Sequence, residues 1–145
     1  GEAHGAENVR EAVERMGAVR IGHGTRSIDD RRTLNLLKER NITLEICPTS
    51  NVQTRSVPSL ARHPMKKLME AGVGVTVNSD DPGVSNITLG HEYRAAVQAC
   101  GLTPAQLGAA VRRAVEAAFC DESTRNRVRR MIESKWKKCL EETRW

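Results

Sequence analysis

Val73-Gly74-Val75-Thr76-Val77-Asn78-Ser79-Asp80-Asp81-Pro82 is the stretch on which the reading of the fold turns. A short β-prone run, preceded by Gly72 and closed by a polar cluster and a proline, reads as a strand that ends in an Asn-Ser-Asp-Asp tip. The same arrangement occurs twice upstream. Ala18-Val19-Arg20-Ile21 ends at Gly22-His23-Gly24, and Thr43-Leu44-Glu45-Ile46-Cys47 is stopped by Pro48, ahead of Thr49-Ser50-Asn51 and a polar loop.

Helical periodicity fills the intervals. Val9, Ala12, Val13 and Met16 recur at i, i+3, i+4, i+7 ahead of Gly17, which predicts a helix over about 6–16. Leu34, Leu36 and Leu37 follow Asp29-Asp30, and Pro64 suits the first position of a helix holding Met65, Leu68 and Met69. Beyond Pro82 the chain reads as helical throughout. Leu89, Tyr93, Ala96, Val97 and Cys100 share a face; Thr103-Pro104-Ala105-Gln106 has the form of a capping box before Leu107, Val111, Ala114 and Ala118. Val128, Met131, Ile132, Trp136 and Cys139 form a last apolar stripe, read as core packing.

Strands separated by helices predict βαβ units, hence a parallel sheet with right-handed crossovers. An eight-stranded α/β barrel takes about 250 residues, so 145 residues with three legible strands predict an α/β fold of one domain, 1–145: the C-terminal half of a TIM-type (β/α)8 barrel followed by C-terminal helices.

Composition agrees with a globular chain: 39% hydrophobic, 28% charged, 11 Gly and 5 Pro. No apolar run approaches the roughly 20 residues a membrane span needs, and the start is no signal peptide, so a cytoplasmic setting is expected. The four cysteines are widely spaced and form no Cys-x-x-Cys pair, which predicts reduced thiols. A net charge of +5 is concentrated near the end of the chain, but Glu133, Glu141 and Glu142 interrupt the bases and aromatic residues are scarce. No nucleic-acid partner is expected.

Ligands of parallel α/β folds bind at the carboxyl ends of strands. There stand His23, then Ser50 and Asn51, then Asp80 and Asp81, with Glu2 ahead of the first helix where another strand would end. A Glu, a His and adjacent Asp residues are the parts of a metal-assisted hydrolase: a carboxylate ligand, a proton-transfer carboxyl and an imidazole beside the attacking water. Ser50 and Asn51 either shape the rim or merely turn the chain. His4, His63 and His91 read as surface, cap or loop residues, and Glu92 as solvated.

Gly1-Glu2, Arg20-Ile21-Gly22-His23-Gly24, Cys47-Pro48-Thr49-Ser50-Asn51, His63-Pro64 and Asn78-Ser79-Asp80-Asp81-Pro82 resemble, in order and spacing, the C-terminal half of the adenosine deaminase family. The resemblance is clearest from Gly1 to about Tyr93. It implies zinc-dependent hydrolytic removal of the 6-amino group of adenosine or a related adenine nucleoside. Asp80 matches the carboxylate ligand of Zn2+. Gly1 and Asp81 match substrate-binding positions, Asp81 hydrogen-bonding the purine. Glu2 matches the acid that protonates a ring nitrogen and so must be a neutral carboxyl. His23 matches the histidine that orients the attacking water. Gly22 favours a nucleoside over free adenine, since adenine-specific relatives often carry an acidic residue there.

In the family, Glu2 follows a His-Ala pair whose His binds zinc, and two more histidines come from a His-x-His motif on the first barrel strand. With the sequence starting at Gly1, the expected partner is the missing N-terminal half of the barrel. Alone, the chain is expected to bind zinc weakly and to be inactive. Two other readings stand beside this one: a non-catalytic, deaminase-derived module that binds a purine or a partner protein, and another metal-dependent hydrolase on the same barrel. A half barrel is further expected to expose two strand edges and a wide apolar face.

Overall fold

The computed structural model describes the backbone of residues 4–142 and side chains through Cys139; Gly1 and Glu2 lie outside the described residues. Three parallel strands, β1 (Arg20–Gly22), β2 (Thr43–Ile46) and β3 (Gly74–Val77), form one sheet in the order β1-β2-β3. Arg20 pairs with Thr43 and Thr43 with Gly74, so the strand tips lie in register. The connections carry α1 (Ala6–Glu14), α2 (Arg31–Glu39), α3 (Pro48–Gln53) and α4 (Met65–Glu70); α5 (Pro82–Ser85), α6 (Leu89–Gln98), α7 (Pro104–Ala117) and α8 (Glu122–Glu142) follow.

Each element follows from its residues. Side chains alternate across a strand, so Ile21, Leu44, Ile46, Val75 and Val77 share one face, and all of them are buried in a core with Val9, Leu37, Met65, Leu68 and Ala96 from the helices. Asp30 caps α2 by accepting from the backbone N–H groups of Arg32 and Thr33. Thr103 and Gln106 form the reciprocal capping box expected at α7.

Several expectations change. The segment after Cys47 is no loop: Pro48 opens α3, its missing N–H costing nothing at a helix start. Pro64 stands one residue ahead of α4, as its N-cap. Met16 lies beyond α1 and is 79% exposed. On α8, Val128, Ile132 and Trp136 are half-buried while Met131 and Cys139 are exposed, so the apolar stripe is narrower than its spacing suggests. Trp136 packs against Gly108 of α7, where a Cβ would stand 2.8 Å from the indole.

The wide apolar face is also corrected. The apolar side of the sheet is covered by helices; the other side carries Arg20, Thr43, Glu45, Thr76 and Asn78, with an Arg20–Glu45 ion pair at 3.3 Å. Arg113 of α7 reaches the strand starts and donates to Thr43 Oγ1 (2.8 Å) and to the Asn41 side-chain and backbone oxygens (2.7 and 2.6 Å). Both edge strands remain, β1 and β3. Among the described residues, no helix is long and apolar enough to cross a membrane.

Leu44 is fully buried at the centre of the middle strand. Leu44→Ala is expected to destabilise the fold by about 2–5 kcal/mol, read from urea unfolding; an unchanged midpoint would show that the sheet is not the core of the chain.

Candidate functional site

The rim of the sheet is built by backbone before side chains enter. The ladder continues one residue past β1 and β3: His23 N–H donates to the Glu45 carbonyl (2.9 Å) and Asn78 N–H to the Ile46 carbonyl (2.8 Å). Just past these bonds the chain leaves the sheet through left-handed residues, His23 with φ 62° and Asp80 with φ 55°. Non-glycine residues rarely sit there without compensation. Here the turns bring the two side chains together, His23 Nε2 standing 3.7 Å from Asp80 Oδ2.

The tip of β2 supplies the compensation through α3. Ser50 Oγ donates to Asp80 Oδ2 at 2.6 Å. The Asn51 amide lies between two histidines, with Nδ2 3.0 Å from His23 Nδ1 and Oδ1 3.2 Å from His63 Nε2. Both residues are buried, which resolves their open role: they hold the rim side chains. Cys47 completes a cluster with His23 and Asp80, one donor atom of each lying within 4.8 Å of the others. Its Sγ–H faces the Glu45 carbonyl at 3.7 Å.

Sequence reasoning missed two buried groups. His63 was expected at the surface, yet it is 5% exposed; its cap role does hold, since Met65 N–H donates to Nδ1 at 3.1 Å at the start of α4. Glu92 was expected to be solvated, yet it is fully buried on α6. Its Oε2 accepts from Thr49 N–H in the first turn of α3 (3.2 Å), while Oε1 and Thr49 Oγ1 have no hydrogen-bond partner among the described residues. For His63 the one signal was its place in the family resemblance, as His63-Pro64; Glu92 had none. Burial, with the Glu92 charge second, pushes the Cys100 thiol up to about 11. His4 and His91 are exposed, as expected.

Asp81 is exposed and caps the short α5, its Oδ1 accepting from Val84 N–H at 3.0 Å. It follows Asp80 on the rim. Gly1 and Glu2, the remaining predicted site residues, lie outside the described residues. A cleft of about 500 Å³ runs along the polar side of the sheet, bordered by Gly22, His23, Glu45, Asp80 and Tyr93. Among the described residues, its chain neighbours aside, no atom lies within 4 Å of a Cβ placed on Gly22, so the cleft has room there.

The donor set suits a zinc ion. A carboxylate oxygen is among the ligand types zinc takes, and Asp80 has one oxygen, Oδ2, held by Ser50, with His23 Nε2 standing 3.7 Å from it. Asp80 Oδ1 has no protein partner among the described residues.

Burial also pushes His63 from 6.5 down to about 4. Between those values the unfolded chain takes up a proton that the folded chain refuses. Stability that is complete above about pH 6.5 is therefore lost as pH falls toward 4, by roughly 3 kcal/mol. Denaturation from about pH 7 to about pH 4 should show this slope in the natural chain and a smaller one in His63→Gln, which keeps a donor for Asn51 without titrating; equal slopes would contradict the assignment.

Comparison with known proteins bears on this site. The family model described as adenosine deaminase matches residues 1–135. An adenosine deaminase of Shewanella loihica is 46% identical over 125 residues, 86% of this chain and 38% of that protein. Among solved structures, an adenine deaminase from Arthrobacter aurescens is similar with a TM-score of 0.88 and 26% identity, over 95% of this chain and 42% of that one. The apo N6-methyl-AMP deaminase from Arabidopsis thaliana gives 0.80 and 29%, over 92% and 39%. The chain thus spans about 40% of the length of the curated relatives it matches, and the fold is the C-terminal part of a TIM-type barrel. With a family match over nearly its whole length, and with His23 and Asp80 meeting at adjoining strand tips, the chain belongs to the adenosine deaminase family.

Proposed function

We propose that this chain is the C-terminal part of one metal-dependent barrel domain that deaminates adenosine, or a related adenine nucleoside, by hydrolysis. The observation that carries the reading is the meeting of His23 and Asp80 at 3.7 Å, from strands β1 and β3 that are not direct neighbours in the sheet. The family match and the deaminase relatives, which between them are named for adenosine, adenine and N6-methyl-AMP, support the reaction class. Gly22 leaves the cleft beside His23 open, which supports a nucleoside over a bare base.

In this reading Asp80 would hold Zn2+ through a carboxylate oxygen, and barrel strands outside this chain would contribute the remaining ligands. Zinc bound there would act as a Lewis acid and lower the pKa of water toward about 7. Ser50, donating to Asp80 Oδ2 at 2.6 Å, fixes the carboxylate so that its other oxygen faces the cleft. His23 orients the attacking water with Nε2. By resemblance, Asp81 hydrogen-bonds the purine, Gly1 is a second substrate-binding position, and Glu2 delivers a proton to a ring nitrogen as the attack proceeds. The water oxygen adds to the ring carbon bearing the amino group, one of its protons passes to that amino group, the C–N bond breaks and ammonia leaves, and the remaining hydroxyl proton returns to Glu2 as the carbonyl forms.

In a protein joining this chain to the rest of its barrel, adenosine should give inosine and ammonia. His23→Ala should lower kcat by about 10²–10³-fold, the loss of one positioned hydrogen-bond donor, and Asp80→Ala should remove both activity and bound zinc, measured by the ultraviolet change and by metal analysis. Retention of full zinc and activity by Asp80→Ala would overturn the assignment, and so would a zinc-loaded protein inert toward every adenine nucleoside.

A further inference from the structure

The hydrogen bonds of the site run deeper than its rim, and they begin at a group that can act in only one direction. Met65 N–H donates to His63 Nδ1 at 3.1 Å. A backbone amide has no acceptor role, so Nδ1 of His63 is without a proton. Burial keeps this ring neutral, and a neutral imidazole with a bare Nδ1 carries its proton on Nε2.

His63 Nε2–H meets Asn51 at 3.2 Å. Of the two ends of that amide only Oδ1 can accept, which fixes the amide's orientation, since a flipped group would set N–H against NH2. The NH2 end is thereby turned to His23 Nδ1 at 3.0 Å. Facing a donor, Nδ1 of His23 must offer its lone pair, and the ring proton is left for Nε2.

We infer that the Met65 amide, His63 and Asn51 form a relay that locks the proton of His23 on Nε2, the nitrogen facing Asp80. His23 then meets the reacting water as a hydrogen-bond donor; it neither takes the water's proton nor enters the metal's ligand set, because its Nε2 lone pair is occupied. A carboxylate in place of Asn51 would impose the opposite polarity, with Nδ1–H donating to the carboxylate and Nε2 left as a base. Asn51 and His63 are positioning residues here, acting through His23. The inference deepens the proposed function and rests on it only in taking Nε2 as the end that faces the chemistry.

The polarity of the relay can be read without substrate, metal or turnover. The 145-residue chain has four histidines, and long-range ¹H–¹⁵N spectra at neutral pH report which ring nitrogen of each carries the proton. Both His23 and His63 are expected as Nε2–H tautomers. Asn51→Asp, which replaces the donor by an acceptor, should move the His23 proton onto Nδ1. Asn51→Leu should leave a mixture of tautomers, and His63→Gln, which retains a donor to Asn51 Oδ1, should preserve the lock. The inference is overturned by a His23 that carries its proton on Nδ1, or on both nitrogens, in the natural chain, or by an Asn51→Asp spectrum with the His23 tautomer unchanged. The natural chain decides the question even where a variant fails to fold. A wrong tautomer would leave the deaminase assignment standing, and an inert parent enzyme would leave the tautomer standing.

Discussion

The parallel ladder through β2 does not stop where the strands stop, and the rest of the site depends on that continuation. His23 N–H and Asn78 N–H donate to carbonyls of Glu45 and Ile46, one residue beyond the regular ends of β1 and β3. These bonds fix where each chain leaves the sheet. The left-handed turns at His23 and Asp80 then carry two side chains, 57 positions apart in sequence, to within 3.7 Å of each other. With the register of β2 shifted by one residue, alternate side chains would exchange faces, and Leu44 and Ile46 would leave the apolar core for the side that carries Thr43 and Glu45.

A short helix at the tip of the central strand links this backbone frame to the chemistry. α3 carries Ser50 against Asp80 and Asn51 between His23 and His63. Its first turn is tied to α6 by the Glu92 carboxylate. Buried polar groups of this kind are costly unless paired, and paired they make the arrangement specific. The network therefore gives side chains on three separate strand tips one common geometry, and it leaves the cleft beside them open at Gly22.

Much of this was legible in the sequence because it follows from local rules. The three strands, their parallel order, the Thr103 capping box and the rim position of His23 and Asp80 come from periodicity and turn chemistry, which a single chain displays directly. The family resemblance rested on those same tips. What could not be read was whatever depends on packing between distant segments. Pro48 stops a strand and starts a helix with equal ease, so α3 looked like a loop. His63 and Glu92 carry the polar character of surface residues, and only the folding of α3 against α4 and α6 encloses them. The apolar face expected of a half barrel is absent for a related reason: the helices cover one side of the sheet, and the other side is polar by alternation.

If strand register sets the metal centre, the Asp80 carboxylate stands where zinc binds, with His23 beside it. Anomalous X-ray scattering at the zinc edge, from crystals of this chain joined to the rest of its barrel, tests it most directly. A single zinc is expected about 2.0–2.2 Å from an Asp80 carboxylate oxygen, with His23 close by but outside the ligand set. Zinc bound elsewhere, or an Asp80 carboxylate out of reach of the ion, would contradict it.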